Sequence, residues 1–342
     1  MRFDFIIGNP PYQDETTGEN KTFAPPVYHK FMDEAYKIAD KVELVHPARF
    51  LFNTGSTPKE WNEKMLNDPH FKVLYYEPNS NKVFVNTSIK TGIAISFRDV
   101  DKQFGKVGIF CRYIELQEIS KKVVVSDVSK SLTNIVFTQS KFNLDNLYRD
   151  YPDFINIIGS NGKDKRLRNN IFDKIPIFYE ERNGKDEIAV IGVIKNKRCW
   201  RYIDSKYIDV QHDNLNKYKV IIPRANGTGA FGETLSTPIV IDPRCGYTQT
   251  FLGLGAFNKK EDADNLLKYV KTKFARALLG VLKVDQHNEK DTWAKIPLQD
   301  FTSNSDIDWS KSIHEIDLQL YKKYGLSDTE ITFIESHVKE MI

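Results

Sequence analysis

The side chains best suited to chemistry flank a Pro-Pro dipeptide in the segment IIGNPPYQ, residues 6–13. The Asn9 amide oxygen and the Pro10 carbonyl are adjacent acceptors on a backbone that proline restricts. Their natural partner is an –NH2 group with two donors, such as the exocyclic amine of adenine. Two preorganised acceptors favour a tetrahedral amine nitrogen. They also stabilise the positive charge that develops on that nitrogen when it acts as a nucleophile. Tyr12 offers a stacking face, and in duplex DNA the base must first be flipped out.

The chain around this turn alternates between strand-like and helix-like patterns. Residues 3–7 are apolar and β-prone, and Pro10-Pro11 ends that run, so we expect Asn9 just past the carboxyl end of a strand. The order of elements predicts the second half of an open α/β sheet with a mixed edge. The predicted elements are a helix over 28–39, a strand over 41–47, a helix over 58–66, a strand over 71–76 and a terminal strand pair of 92–97 with 106–111.

Length and composition describe an ordinary globular protein with room for two domains. The 342 residues carry a formal net charge of +3, which permits nucleic-acid binding without arguing for it. The three cysteines have no zinc-ligand spacing, so we expect reduced thiols, a cytoplasmic location and no metal site. No apolar run is long enough to span a membrane, and no secretion signal is evident at the N-terminus.

The second part of the chain has a different character. Residues 112–150 are interpreted as a connecting region with a helix around 128–136, and basic and aromatic residues interleave from about Tyr151. One long amphipathic helix is predicted over 260–282. Two helices are predicted within 313–342, where Gly325 stops the first and Ser327 caps the second.

The Asn9-Pro10-Pro11-Tyr12 turn, preceded by an apolar strand and Gly8, resembles the catalytic motif of gamma-class N6-adenine DNA methyltransferases. These enzymes belong to type II restriction–modification systems and use S-adenosylmethionine (AdoMet). The segment VELVHPARF, residues 42–50, resembles the family strand and loop that follow the motif. The segment VFVNTS, residues 83–88, resembles a later motif whose aromatic residue faces the flipped base. The resemblance implies catalytic roles for Asn9, Pro10 and Tyr12 and base stacking by Tyr12 and Phe84.

The second part resembles the target-recognition domain of these methylases. The resemblance implies a partial Rossmann-like methyltransferase sheet, then an α+β recognition domain and a helical tail. The implied boundaries are 1–125 for the catalytic half, 126–150 for a linker, 151–303 for the recognition domain and 304–342 for the tail. The matching segments are 218–224, 248–251, 269–279, 293–298, 315–317 and 321–326.

The chain departs from the family pattern at the cofactor site. The Gly-rich AdoMet signature should precede the catalytic motif, and it is absent from this sequence. A literal GxGxxG does occur at Gly227, Gly229 and Gly232, but 234–241 is predicted to be a strand, so no helix N-terminus is available for an anion. We therefore interpret that loop as part of the recognition domain. The AdoMet pocket is expected to be incomplete without a partner subunit or a missing N-terminal segment.

Basic clusters in the second part are candidates for contact with double-stranded DNA. Phosphate neutralisation requires such clusters, and base readout uses arginine or polar side chains at groove edges. The alternative is a solvated charged surface. The candidate residues are Lys163, Lys165, Arg166, Arg168, Lys197, Arg198, Arg201, Arg224 and Asn226.

Several functions follow from these patterns. The leading hypothesis is a restriction–modification component for site-specific adenine N6 methylation, with doubtful activity as an isolated chain. The alternative is a non-catalytic, sequence-specific DNA-binding module. A plain two-domain α/β protein would not explain why the motifs occur in family order. No convincing nuclease pattern is evident, so any cleavage activity of the system is expected in another chain.

Overall fold

The chain forms two compact units, Met1–Gln117 and Glu118–Ile342. The structure is a computed structural model, and it describes residues 2–14, 24–89, 91–123, 128–184, 186–212 and 214–341. The structure divides the chain after Gln117, and the finer division into linker, recognition domain and tail stays a prediction.

The first unit contains one mixed four-stranded sheet. Its strand order is β1-β2-β4-β3, with β1 parallel to β2 and the other two pairs antiparallel. A helix joins the two parallel strands, as a parallel connection requires. The elements are β1 (Phe3–Gly8), α1 (Tyr28–Ile38), β2 (Ala39–Pro47), α2 (Lys59–Asn67), β3 (Phe71–Glu77) and β4 (Ile93–Asp99).

Both helices of this unit contribute to a single core against the sheet. On α1, Tyr28, Met32 and Ala35 recur at helical spacing and are buried. Trp61 and Phe50 pack edge to face in the same core, with ring centroids 5.0 Å apart. The core therefore fixes the ends of β1 and β2 relative to the helix that connects them.

The predicted strand over 106–111 is wrong. Those residues are irregular, and β4 pairs with β2 on one side and with β3 on the other, so it has no free edge for a further partner. Gly105 and Gly108 adopt positive φ values of 86° and 62°, which an extended strand does not contain. Residues 106–111 are therefore not a strand, although their sequence is β-prone, because β4 is already paired on both sides and the glycines turn the backbone.

The second unit combines two small sheets with helices. Its sheets have the orders β10-β6-β7 and β5-β11-β8-β9. The helix α3 (Ile114–Lys122) crosses the division between the units. The remaining elements are β5 (Val136–Phe137), α4 (Leu144–Asp150), α5 (Ile171–Lys174), β6 (Glu187–Ile194), β7 (Lys197–Asp204), β8 (Tyr218–Pro223), β9 (Ile239–Ile241), β10 (Cys245–Tyr247), β11 (Phe251–Phe257), α6 (Lys260–Lys271), α7 (Lys273–Leu282), α8 (Ile313–Lys323) and α9 (Asp328–His337).

Two predicted helices of this unit differ in the structure. The segment 128–136 forms two short 3-10 turns on either side of Ser131, whose hydroxyl accepts the Thr133 N–H, and leads into β5. The long helix over 260–282 is two helices because Thr272 is extended, with ψ 148°. The Thr272 hydroxyl donates to the Tyr269 carbonyl, while the Asp317 carboxylate accepts the first two N–H groups of α7.

The helical end of the chain matches its prediction closely. Ser327 begins α9 with a capping box to Glu330, and Ser312 begins α8 with the same motif to Glu315. Gly325 follows α8 at a φ of 62°, a left-handed conformation that glycine adopts without strain. Both helix boundaries therefore follow from local hydrogen bonding that the sequence reveals.

Three general expectations concern cysteines, membranes and metals. Cys111, Cys199 and Cys245 are not joined in disulfide bonds. Within the ranges that the structure describes, no helix is long and apolar enough to cross a membrane. The same residues contain no group of three or more His, Cys, Asp or Glu side chains that could hold a metal ion.

The buried histidine of the first unit gives a test of this core. His46 is fully buried, its Nε2 lies 2.8 Å from the Ser96 hydroxyl, and burial lowers its pKa to about 4. Unfolded His46 binds a proton near pH 6.5, so its neutral folded form contributes stability above that pH and loses it as pH falls to 4. In urea unfolding, the destabilisation by His46→Gln should shrink by about 3 kcal/mol between pH 7 and pH 4. Equal destabilisation at both pH values would contradict this account.

Candidate functional site

The Asn9-Pro10-Pro11-Tyr12 turn lies directly after the carboxyl end of β1. Asn9 is exposed and Pro10 is half-buried. The far end of the turn is fixed because the Tyr12 carbonyl accepts the Val27 N–H at 3.1 Å, just before α1. A turn between strand β1 and a hydrogen-bonded anchor before α1 holds the Asn9 amide and the Pro10 carbonyl at the sheet edge.

Tyr12 connects this turn to the interior of the first unit. Its ring packs against the core of α1 and α2, and its hydroxyl is enclosed. Burial raises the pKa of Tyr12, while the nearby Asn9 amide lowers it in part. Tyr12 therefore remains protonated at neutral pH and lies beside Asn9.

A cavity of about 250 Å³ opens beside Tyr12. Its walls come from loops at the carboxyl ends of β1 and β2 and from the segments before α1, before α2 and before β4, the edge where ligands bind in sheets with parallel strands. The lining residues are Tyr12, Gln13, Ala24, Pro26, Tyr28, Pro47, Arg49, Ser56, Thr57, Ser88 and Ile89.

The polar wall of the cavity was missed by sequence reasoning. Among the described residues that line it, Arg49 is the only charged one, and burial raises the pKa of the neighbouring Tyr28 to about 12, so Tyr28 stays neutral. Thr57 is fixed because its hydroxyl donates to Asn62 Oδ1 at 2.7 Å. The position of Arg49 just after β2 was the available signal, but residues near a strand end are usually solvated.

Phe84 lies on a loop that reaches the cavity. It is half-buried, and its N–H donates to the Ser80 carbonyl at 2.8 Å. Ser88 and Ile89 at the other end of that loop line the cavity, whereas Phe84 is outside its described wall. The stacking role of Phe84 therefore stays a prediction.

The glycines at 227, 229 and 232 belong to a tight loop in which an internal carboxylate already accepts two backbone N–H groups. The Glu233 carboxylate accepts the backbone N–H groups of Thr228 and Gly229 and, at 2.6 Å, the Thr228 hydroxyl. The segment after the loop is irregular until β9, and no helix begins there. An internal carboxylate thus occupies the place that an anionic ligand would take.

Close packing explains why these positions are glycine. A Cβ at Gly229 would lie 2.3 Å from the backbone of Asp285, and one at Gly232 would lie 2.0 Å from the His337 carbonyl. All three glycines have positive φ. The loop therefore joins two parts of the second unit and does not fit AdoMet, and the 250 Å³ cavity is below the size of typical ligand pockets.

Five of the nine predicted DNA-contacting residues point outward. Lys163, Lys165 and Lys197 are exposed. Arg166 and Arg168 are partly exposed and share the carboxylate of Asp164. These side chains present positive charge on the surface of the second unit.

The other four are held by groups within the protein. Arg198 donates to the carbonyls of Ser236 and Thr237 at 2.9 and 2.8 Å. Asn226 is buried and donates to the Thr234 carbonyl at 2.9 Å. Arg201 pairs with Glu180, and Arg224 pairs with Glu289. Their donors stabilise loops of the second unit, a role that the sequence alone did not separate from DNA binding.

Comparison with known protein families gives a match that includes the Asn9–Tyr12 turn. Residues 1–84 match the family described as Eco57I restriction-modification methylase. The match contains β1, the Asn9–Tyr12 turn, β2 and the loop after β3 as far as Phe84, so it covers about a quarter of the chain. This likeness supports a methylase component of a restriction–modification system. No curated protein matches the chain.

One solved structure to which this chain is similar is that of the type IIL restriction-modification enzyme MmeI in complex with DNA. It is 10% identical, with a TM-score of 0.42 over 98% of this chain. This chain spans 56% of that chain's length. The low TM-score means that this likeness carries no argument about the site.

Paired glycine substitutions test the packing role of the loop. Gly229→Ala and Gly325→Ala both place a Cβ at positive φ, but only Gly229 has backbone within 4 Å of that Cβ. We expect Gly325→Ala to cost about 1 kcal/mol of unfolding free energy and Gly229→Ala about 1–3 kcal/mol more. Urea unfolding measures both. Reduced AdoMet affinity in Gly229→Ala without reduced stability would instead indicate a cofactor loop.

Proposed function

We propose that this protein is a component of a DNA adenine N6 methyltransferase of a restriction–modification system. The observation that carries the proposal is the Asn9–Tyr12 turn at the carboxyl end of β1, beside a cavity that Tyr12 lines. The match of residues 1–84 to a restriction–modification methylase family supports it. The methyl donor would be AdoMet, held mainly by a half that lies outside this sequence.

The residues of the turn would hold the amine of a flipped-out adenine. The Asn9 amide oxygen and the Pro10 carbonyl accept its two N–H groups and favour a tetrahedral, nucleophilic nitrogen. Their negative ends also stabilise the charge that develops on that nitrogen. Tyr12 stacks on the base, and Phe84 is proposed as the second aromatic face.

The cavity lies beside the two acceptors, since Tyr12 is in its described wall and Asn9 and Pro10 are not, and its dimensions suit a base held there. About 250 Å³ suits a single base better than a whole dinucleotide or cofactor, since drug-sized ligand sites begin near 300 Å³. Asn9 is exposed, so a base that leaves the duplex can reach it from solvent. Arg49 adds one positive charge to the wall, which suits a nucleotide with a phosphate nearby.

The surface of β1 supports the need for a second half. β1 lies at one edge of the sheet, and Phe3, Phe5 and Ile7 on one face are exposed by 45%, 43% and 74%. Sheets with parallel strands are normally covered on both faces. A further α/β segment beside β1 would bury these apolar side chains and complete the cofactor site.

Methyl transfer to DNA tests the proposal. We would fuse an AdoMet-binding half from a restriction–modification methylase in front of Met1 and incubate it with labelled AdoMet and unmethylated genomic DNA. Mass spectrometry of the digested DNA should find N6-methyladenine. Asn9→Ala should lower the rate about 10²-fold or more, because it removes a preorganised acceptor. Tyr12→Ala should weaken base binding by about 1–3 kcal/mol, while Tyr12→Phe keeps the ring and most of the activity.

Asn67→Ala is the matched control, because Asn67 is an exposed asparagine at the end of α2. It should transfer methyl groups at the wild-type rate. Methylcytosine as the sole product would contradict adenine specificity. Tight, sequence-selective DNA binding without transfer in any fusion would favour the non-catalytic DNA-binding module.

A further inference from the structure

A short extended segment of the second unit carries two arginines on one side. Leu167 is fully buried, its N–H donates to the Ser140 carbonyl at 3.0 Å, and its own carbonyl accepts the Gln249 N–H at 2.7 Å. Alternate residues of an extended chain point to opposite sides. Asp164, Arg166 and Arg168 therefore share the side opposite Leu167, where they contact one another.

One carboxylate holds both guanidinium groups. Arg166 Nε and Nη2 donate to the two oxygens of Asp164 at 2.7 and 2.9 Å, a fork-like pair. Arg168 Nε donates to Asp164 Oδ2 at 2.6 Å. The Asp164 side chain is 5% exposed, whereas those of Arg166 and Arg168 are 43% and 41% exposed. The carboxylate is thus beneath two guanidinium groups that face solvent.

Several donors of these two partly exposed groups are not used by the carboxylate. Each guanidinium has five N–H donors, and the bonds to Asp164 use two of Arg166 and one of Arg168. Two guanidinium groups and one carboxylate leave a net charge of +1. That charge and the free donors match one phosphate diester, which carries a single negative charge and several acceptor oxygens.

The surroundings make this a positive surface. Lys141 is the cross-strand neighbour of Arg166 and so lies on its side of the segment, and Lys163 is exposed in the turn just before Asp164. An approaching polyanion therefore meets further cations around the two arginines.

We infer that Asp164, Arg166 and Arg168 form a clamp for one phosphate of the DNA backbone, in which Asp164 is the positioning residue. The inference rests on the DNA-binding part of the proposed function and specifies its chemistry: this element holds the backbone and does not read bases. A carboxylate fixes both guanidinium groups before DNA arrives, so less side-chain freedom is lost on binding.

The salt dependence of DNA binding tests the clamp. The affinity of the full chain for a labelled mixed-sequence duplex is measured by fluorescence anisotropy over a series of KCl concentrations. Neutralising one phosphate contributes about 0.9 to the slope of log K against log salt. Arg166→Ala and Arg168→Ala should each lower the slope by about 0.9, and the double variant should lower it by no more than either single variant.

Asp164→Asn separates positioning from simple neutralisation. It removes a negative charge, so an effect of charge alone would tighten DNA binding. Loss of positioning should instead weaken DNA binding about tenfold, with no reduction in the slope of log K against log salt. Asp186→Asn and Arg244→Ala are matched controls, since that exposed pair also joins a carboxylate to an arginine. They should leave the DNA affinity within about twofold of wild type. Thermal unfolding checks that each variant is folded.

Three outcomes would overturn the clamp. Slopes that add in the double variant, by about 1.8, would show two independent contacts. Tighter binding by folded Asp164→Asn would reduce Asp164 to a neutralising partner. Absence of DNA binding by the wild-type chain would remove both the clamp and the DNA-binding part of the proposed function. Normal methyl transfer by Asn9→Ala would leave the clamp untouched and remove only the proposed chemistry.

Discussion

The parallel pairing of β1 with β2 is the constraint on which the first unit depends. It places Gly8 opposite Leu44, so the Asn9–Tyr12 turn and the segment after Pro47 leave the sheet at the same edge. The connecting helix α1 then packs Tyr28 under that edge, stacked on His46 at 6.1 Å. The cavity beside Tyr12 exists because the ends of β1 and β2 and the start of α1 meet at this edge. The proposed chemistry depends on that geometry.

In the second unit, internal acceptors decide which basic residues remain available to a ligand. Backbone carbonyls engage Arg198, and Glu289 engages Arg224, so their charges serve the protein's own loops. At the glycine loop, Glu233 is the internal acceptor, and it binds the backbone N–H groups of Thr228 and Gly229. Asp164 differs because it binds two arginines and leaves both partly exposed.

Local patterns in the sequence predicted β1, β2, α1 and the Ser327 cap, since each depends on spacing or on side chains within a few residues. The break at Thr272 could not be predicted in this way, because Asp317 supplies the acceptors for the new helix end from far along the chain. Arg49 was missed for a similar reason. Its place in the cavity depends on the pairing of β1 with β2, which no local pattern reveals.

Nucleobase binding at the turn tests the central claim most directly. Deoxyadenosine and thymidine would be titrated into the labelled chain while NMR follows the Asn9 side-chain amide and the backbone signals of Thr57 and Ser88. The account predicts shifts around Asn9 and the cavity with deoxyadenosine, and much smaller shifts with thymidine, which lacks an exocyclic amine. Equal shifts with both nucleosides, or shifts confined to the glycine loop at 227–232, would contradict it.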